Sequence, residues 1–369
     1  MSSSDISARV ELESHVLGQR QKKKSVNATQ SQWSEEKEFK SGEASISFET
    51  RFRHLRAHGD FSIAYSTAVQ PCLDYFHNDD GYLPFRCRWG VTFGLGDPMT
   101  GSTNKRSFLE QFIGEHRRPS FVSVNHETAA VLNDMGYFVN EMGVDTTLDL
   151  KSYNFNGKDK EWLRYANNWT SRRGFKIEEC DADLVRKEAI ELSEAWRETR
   201  TIKRKEVRFL NRPITIRNEI DVRKMYMLDA DGRMQAFIYF DPLYKDNEVI
   251  GYVTCIKRRH PEAPQYAEHS LMKHAIEVFQ SEGKQIVRLG LSPMAGIENG
   301  TFRSNKILDW TSRRYGVSKF VNRYLYNFRG HTLYKKRFRG DEEKIYYASP
   351  TNLTNGWRTF ALCSLCGAF

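Results

Sequence analysis

Long apolar runs are missing from this sequence of 369 residues. No segment approaches the ~18 consecutive apolar residues that cross a bilayer. The first residues also lack the apolar core of a secretory signal. We therefore expect no transmembrane segment, and a protein that is cytoplasmic or lies peripherally at the inner face of the membrane.

Cysteine is also scarce. The six cysteines are scattered, and only Cys363 and Cys366 are close in sequence. Their C-x-x-C spacing has neither the second pair nor the histidines that complete a zinc site. We therefore predict no metal site, no cofactor and a reducing compartment.

The charge is unbalanced toward the cationic side. The chain has 56 Lys and Arg against 47 Asp and Glu, which leaves a net charge of +9. Such a balance favours polyanionic partners, either nucleic acid or an anionic membrane surface. The same composition is typical of a basic protein with neither partner, so the positions of the cations must decide.

Composition divides the chain into five segments. Residues 1–50 are rich in Ser and carry a Lys22-Lys23-Lys24 run, so they predict a disordered or loosely packed tail. Residues 51–157 predict a first α/β domain, 158–173 a linker helix, 174–350 a second domain and 351–369 a C-terminal tail. Within these domains we predict strands at Phe61–Ser66 and Tyr324–Phe328, among others.

The stretch from Val249 to Ile297 organises the second domain. A strand-like run ends in three cations, Lys257, Arg258 and Arg259. A proline-interrupted turn, an amphipathic helix ending near Gly283 and a second strand follow. In a β-α-β unit, the carboxyl end of the first strand faces the ligand crevice. The three cations therefore predict one cationic cluster for an anionic substrate.

Four motifs, in order, resemble the C-terminal catalytic domain of the aminoacyl-phosphatidylglycerol synthases. Two are LGDP at 95–98 and KEWLR at 160–164. The third combines RHPEAP at 259–264 with LGLSPMAG at 289–296. The last is YNFRG at 326–330 followed by YKKRF at 334–338. The resemblance covers roughly residues 55–350.

This resemblance implies a fold and a reaction. The fold would be α/β (α+β), with tandem domains like the N-acetyltransferases (GNAT) and mixed central sheets, as a stand-alone homologue. The predicted strand-strand-strand-helix-strand order of the second domain agrees with a GNAT core. The reaction would be transfer of an amino acid from aminoacyl-tRNA to a hydroxyl or amine. The acceptor would be phosphatidylglycerol, another lipid or a small molecule.

The resemblance also selects site residues. Arg258, Cys255 and Asn327 are the catalytic candidates. Cys255 occupies a position that is acidic in relatives using cationic amino acids, so lysine is not specified as the donated amino acid. The candidates for binding tRNA or the acceptor are cationic, and they are Lys203, Arg204, Lys205, Arg208, Lys257, Arg259, Lys335, Lys336 and Arg337.

A missing turn argues against acetyl-CoA. Acetyl-CoA-dependent GNAT enzymes bind the pyrophosphate through a glycine-containing turn before the central helix. Here residues 259–266 contain no glycine, and two prolines remove N–H donors. Aminoacyl transfer is therefore our first hypothesis. An acyl-CoA-dependent GNAT enzyme and a non-catalytic RNA- or membrane-binding protein are the alternatives.

Overall fold

Strands and helices alternate through the described chain. The computed structural model describes residues 46–180, 183–199, 209–215, 218–298, 300–324, 327–351 and 356–367. The strands are β1 (Asp74–Asn78), β2 (Gly81–Arg88), β3 (Val91–Leu95), β4 (Ser120–Val124), β5 (Phe138–Asp149), β6 (Lys176–Glu179), β7 (Arg223–Leu228), β8 (Met234–Lys245), β9 (Glu248–Arg259), β10 (Ile286–Pro293) and β11 (Asp341–Ser349). The helices are α1 (Phe48–His58), α2 (Ala64–Val69), α3 (Lys105–Glu115), α4 (His126–Asp134), α5 (Glu161–Arg172), α6 (Asp183–Glu198), α7 (Ala267–Ser281), α8 (Lys306–Val317), α9 (Lys319–Tyr324), α10 (Phe328–Lys336) and α11 (Gly356–Leu365).

All these strands belong to one mixed sheet. Their order is β1-β2-β3-β4-β11-β5-β10-β9-β8-β7-β6. Two neighbouring pairs, β3 with β4 and β9 with β10, are parallel. The other pairs are antiparallel. Parallel pairs need a crossover helix, and α3 and α7 provide it.

The two halves of the chain repeat one topology and exchange their last strands. The first half has the order β2-β3-α3-β4-α4-β5. The second half has the order β8-β9-α7-β10 and then β11, with the three helices α8, α9 and α10 in the place of α4. However, β5 pairs with β10 of the other half, and β11 lies between β4 and β5. The α/β class and the tandem GNAT-like order are therefore confirmed. The boundaries at 51–157 and 174–350 stay predictions, and the strands of both halves form a single sheet.

Local sequence explains where several helices begin and end. Asn125 caps α4, because its side-chain oxygen accepts a hydrogen bond from the backbone N–H of Thr128 at 2.9 Å. After α7 the chain turns at Gly283, whose φ of +72° suits glycine. α7 buries Leu271, Ala275 and other residues against β8, β9 and β10 in the largest apolar cluster of this half. That packing supports the parallel pair on which the site is built.

Some secondary-structure predictions were wrong. Phe61–Ser66 is not a strand: its end belongs to helix α2, whose buried face packs with Tyr82 and Tyr244. A strand was also predicted for Tyr324–Phe328, but Tyr324 ends helix α9 and Phe328 begins helix α10. Residues 356–365, assigned to a C-terminal tail, form helix α11. In the first two cases aromatic and β-branched residues suggested a strand, and tertiary packing decided otherwise.

Candidate active site

The parallel strands β9 and β10 stop pairing well before they end, and we call the gap between their unpaired ends the opening. They pair only from Gly251 to Val253 and from Ile286 to Arg288. β10 contains an extra residue against β5, next to Gly290 with its φ of +77°. β9 bulges as well, since Cys255 has no partner in the ladder to β8. Both β9 and β10, which form the walls of the opening, are therefore irregular near their carboxyl ends, where parallel α/β sheets bind ligands.

Lys335 projects from α10 into this opening. Its Nζ donates hydrogen bonds to the backbone oxygens of Gly290, at 2.5 Å, and Leu291, at 2.7 Å. The side chain is buried, and burial lowers the pKa of Lys335 to about 7, with a further lowering from the charge of Lys257. Both protonation states are therefore populated near neutral pH, which suits a proton acceptor.

Asp145 on β5 interacts electrostatically with Lys335, whose pKa its charge raises. It is the ladder partner of Leu291, whose carbonyl Lys335 binds. Ser62 donates a hydrogen bond to its Oδ2, and Arg288 Nη1 is 3.9 Å from that oxygen. Burial raises the pKa of Asp145, and its Oδ1 is buried without a hydrogen-bond partner among the described residues. This oxygen can accept a hydrogen bond from a ligand.

A second buried carboxylate, Asp241, lies on β8. Ser66 Oγ donates to its Oδ2 at 2.8 Å, and Arg212 Nη2 donates to its Oδ1 at 2.7 Å. Ser62 and Ser66 stand one helical turn apart, so the segment around α2 links Asp145 to Asp241 across β10 and β9. This arrangement fixes one wall of the opening.

Cys255 lies next to the group formed by Asp241, Ser66 and Arg212. Its Sγ is 3.6 Å from Ser66 Oγ. Desolvation of the sulfur raises the pKa of Cys255 to about 12, so it is a neutral thiol at physiological pH. A thiol of this kind is a poor nucleophile. The structure favours a packing role, and the catalytic assignment of Cys255 stays a prediction.

The three consecutive cations do not form one cluster. Lys257 Nζ lies 3.2 Å from Glu268 Oε2 and 3.2 Å from the centre of the Tyr334 ring, on the α7 side. The guanidinium of Arg258 stacks 3.9 Å from the Trp196 ring of α6, on the other side. Neighbouring residues of a strand point to opposite faces, which explains the separation. The prediction of a single cationic cluster was wrong.

The remaining candidates are spread over several places. Arg259 Nη1 donates to the carbonyl of Ala263 at 2.7 Å. Asn327 is exposed and caps α10 by accepting from the N–H of Gly330 at 2.8 Å. Lys336 and Arg337 are exposed beside Lys335. Four others, Lys203, Arg204, Lys205 and Arg208, lie outside the described residues.

The turn before α7 packs against aromatic side chains of α5. The ring of Tyr266 is 5.3 Å from that of Trp162, 5.4 Å from Tyr165 and 5.0 Å from Trp169. The start of α7 therefore has aromatic neighbours in place of a glycine turn with free N–H groups. Arg337 joins the cluster, with its guanidinium 4.2 Å from the Trp162 ring.

The sequence patterns did not predict Asp145, Asp241, Ser62 or Ser66 as site residues. The available signal was a single carboxylate within each of two strand segments that have no other charged residue, GVDTTL at 143–148 and AFIYFDPLY at 236–244. Buried acids need partners, and those partners come from distant parts of the chain. Lys335 was selected for binding, and its burial in the opening was visible only in the structure.

Comparison with known proteins identifies the family. The model of the phosphatidylglycerol lysyltransferase C-terminal family matches residues 52–349. The chain belongs to this family. A phosphatidylglycerol lysyltransferase of Bacillus subtilis is 25% identical over 281 residues, covering 74% of this chain and 31% of the relative. An uncharacterised protein of Corynebacterium glutamicum is 22% identical, covering 58% of this chain and 28% of the relative. The chain thus spans about a third of these relatives' length.

Solved structures show the same fold. L-PGS from Bacillus licheniformis superposes with a TM-score of 0.73 at 17% identity, covering 89% of this chain and 99% of that one. The C-terminal domain of a putative lysylphosphatidylglycerol synthetase from Agrobacterium fabrum gives 0.71 at 15% identity, with 87% and 98% coverage. FemX gives 0.54 at 9% identity, with 86% and 99% coverage. In the described part of this family member, no helix is long and apolar enough to cross a membrane.

Proposed function

We propose that this chain transfers an aminoacyl group from aminoacyl-tRNA to a hydroxyl group of phosphatidylglycerol. Membership of the phosphatidylglycerol lysyltransferase family supports a lipid acceptor. Another lipid, or a small compound with a hydroxyl or amine, would react by the same chemistry. The observation that carries the proposal is the buried Lys335 at the opening between β9 and β10, where the charge of Asp145 acts on it.

The reaction needs positioning and proton transfer more than a covalent nucleophile. The acceptor oxygen attacks the carbonyl carbon of the aminoacyl ester, and the bond from that carbon to the tRNA 3′ oxygen then breaks. The acceptor loses a proton, and the departing tRNA hydroxyl gains one. Since the ester is already activated, the protein must hold both substrates together and move these protons.

Lys335 is suited to the proton transfer. A neutral amine keeps two N–H donors for the carbonyls of Gly290 and Leu291, and its lone pair is left for the acceptor's proton. Burial has already lowered its pKa to about 7, so the neutral form does not require alkaline pH. The protonated form can then return the proton to the leaving tRNA oxygen.

Asp145 is suited to hold the donor. An aminoacyl ester carries a free α-amino group, which is cationic when protonated. The Oδ1 atom of Asp145 is buried and has no hydrogen-bond partner in the described part of the chain. A bound ammonium group would supply one and would favour the ionised carboxylate. In this role Asp145 orients the ester toward Lys335.

The donor choice rests on the start of α7. Residues 259–266 contain no glycine, and Tyr266 packs among the rings of Trp162, Tyr165 and Trp169. This arrangement does not favour the pyrophosphate of coenzyme A. Aromatic rings with a neighbouring arginine are typical of surfaces that stack on unpaired bases, such as a tRNA 3′ end.

The direct test is transfer from a pool of charged tRNA. The full chain is incubated with this pool and phosphatidylglycerol vesicles, and lipid and soluble fractions are examined by mass spectrometry. We expect an aminoacyl lipid that disappears when tRNA is omitted. A product confined to the soluble fraction would replace the lipid with a small acceptor. Transfer of an acyl group from a coenzyme A thioester, and none from tRNA, would overturn the proposal.

A matched pair of variants tests the site. Lys335→Gln removes the buried amine, and Lys245→Gln removes an exposed lysine at the end of β8 that has no part in the proposed site. We expect Lys335→Gln to lose about 10²-fold or more in single-turnover transfer, within the range for a general base. Lys245→Gln should stay close to the parent protein. Equal effects of the two substitutions would remove Lys335 from the reaction.

A further inference from the structure

Helix α8 turns its apolar side outward. Ile307 is 56% exposed, Trp310 65% and Val317 75%. Their spacings of three and seven residues place them on one face of the helix. Leu333 on α10, which packs beside α8, is 52% exposed. Large apolar side chains at this exposure, next to one another, mark an interaction surface.

The buried side of α8 is polar, which fixes this orientation. Asn140 Nδ2 on β5 donates to Asp309 Oδ1 at 2.6 Å, and Ser304 Oγ donates to Asp309 Oδ2 at 2.6 Å. Asn305 caps the helix by accepting from the N–H groups of Ile307 and Leu308. A surface helix of a globular protein normally buries its apolar side. Rotating α8 to do so would break this buried network.

The surrounding surface is strongly cationic. Residues 306–340 contain ten Lys and Arg and one acid, Asp309, which is buried. Their net charge of +9 equals that of the whole chain, so the rest of the sequence is neutral on balance. The exposed cations of helices α8, α9 and α10 include Lys306, Arg314, Lys319 and Arg329. A partner for this face should be anionic and should also accept hydrocarbon side chains.

The same helices border the opening. On α10, Leu333 points outward, whereas Lys335, two residues later, is buried and binds the carbonyls of Gly290 and Leu291. α10 packs against β10, the strand that forms one wall of the opening. A surface lying against α8 and α10 is therefore next to the proposed site.

We propose that α8 and α10 form the face by which this chain docks on an anionic lipid bilayer. Trp310 would sit at the level of the headgroups, with Ile307, Val317 and Leu333 against the acyl chains. The cations around them would attract the anionic headgroups. RNA would also bind cations, but three of the four exposed apolar side chains, Ile307, Val317 and Leu333, are aliphatic and have no ring to stack on a base, so the patch favours a membrane. Docking would bring the opening to its lipid acceptor, and only this purpose rests on the proposed function.

The test measures binding of the full chain to vesicles by co-sedimentation. We expect binding to vesicles of phosphatidylglycerol and phosphatidylcholine, and little binding to phosphatidylcholine alone. The triple variant Ile307→Ser, Trp310→Ser and Val317→Ser should bind these vesicles more weakly by about tenfold or more, because it removes most of the inserted apolar surface. Trp357→Ser is the matched control, since Trp357 is 52% exposed on α11, which packs elsewhere, against β2 and β3.

A second variant tests the charge. Arg314→Glu with Lys319→Glu should also weaken binding to the anionic vesicles by about tenfold or more. Both variants should keep the thermal midpoint of the parent, because the substituted side chains are exposed. If the serine variant bound the anionic vesicles as tightly as the parent, the proposal would be wrong. It would also be wrong if that variant lost affinity for tRNA and kept its affinity for vesicles.

Vesicle binding separates this proposal from the enzymatic one. If no aminoacyl lipid forms but docking depends on α8, the proposed reaction fails and the docking surface stands. If the reaction occurs, the serine variant should lose transfer to vesicles and keep transfer to a short-chain, soluble phosphatidylglycerol. Equal loss with both acceptors would show that α8 serves the site itself and would overturn docking as its role.

Discussion

Lys335 Nζ lies 2.5 Å from the carbonyl oxygen of Gly290, a residue at an irregularity of β10 with a φ of +77°. Where β9 and β10 diverge, this carbonyl has left the regular ladder, and the lysine supplies a donor for it. The contact therefore maintains the opening and at the same time holds an amine within it. One side chain thus links the shape of the sheet to the proposed chemistry.

The pH dependence of transfer should report Lys335. Its pKa is lowered to about 7, so the neutral amine increases as the pH rises through that value. Single-turnover transfer should rise through pH 7 and level off above it, and Lys335→Gln should lose this rise. Single turnovers within the lifetime of the aminoacyl ester provide the measurement. A parent protein with a flat profile between pH 6 and 8 would contradict the role of Lys335.

The same shift predicts a dependence of stability on pH. The pKa of folded Lys335 is about 7, whereas an unfolded lysine has its ordinary pKa of 10.5. Between these values the unfolded chain binds more protons, so this residue makes stability rise with pH. Thermal midpoints of the parent and of Lys335→Met should therefore differ in slope over this window, with the steeper rise in the parent. Parallel curves would show that the folded pKa is not lowered.

Asp145 and Lys335 should be coupled. The charge of Asp145 raises the pKa of Lys335 against the larger effect of burial. Asp145→Asn should therefore move the rise in transfer to lower pH and weaken donor binding, because the α-ammonium loses its partner. Glu343→Gln is a suitable control, since Glu343 is exposed and pairs with Arg288, a neighbour of Asp145. If the pH midpoint of transfer were unchanged in Asp145→Asn, the two residues would not be coupled.

Cys255 should behave as an inert thiol. Its pKa is raised to about 12, so little thiolate exists at pH 8. Alkylation with iodoacetamide, followed by mass spectrometry of peptides, should modify Cys87 much faster, because Cys87 is exposed. Cys255→Ala should retain transfer within about tenfold, since the mechanism has no covalent step at sulfur. Rapid labelling of Cys255 that abolishes transfer would restore it as a catalytic residue.

Arg258, a catalytic candidate from the sequence, is our hypothesis for the group that stabilises the oxyanion of the tetrahedral intermediate. A guanidinium that donates to this oxygen in the transition state contributes on the order of 10²–10³ in rate. We expect Arg258→Ala to lose this factor in single-turnover transfer and Arg258→Lys to recover part of it. The thermal midpoint is measured alongside. Normal transfer with a lowered midpoint would leave Arg258 with its stacking on Trp196 as a structural contact.

Local patterns predicted those features that depend on neighbours in sequence. The unit from β9 through α7 to β10 was predicted correctly, because its apolar periodicity, prolines and Gly283 are local signals. Phe61–Ser66 was wrong because a short helix buried by contacts with Tyr82 and Tyr244 has no strong local signal. Lys257 and Arg258 point in opposite directions because neighbouring side chains of a strand alternate between its two faces. The prediction of one cationic cluster did not take this alternation into account.

The sequence by itself determined the family, the tandem order of elements and the excess of positive charge, because motif spacing, periodicity and composition are properties of the chain. Only the tertiary structure decided which strands are neighbours, and so placed Asp145 opposite Leu291, whose carbonyl Lys335 binds, and exchanged β5 and β11 between the halves. It also decided that α8 faces outward with its apolar side, since the polar partner of Asp309 is Asn140 on β5. Such contacts join residues more than a hundred positions apart, and their energies depend on burial that no local pattern specifies.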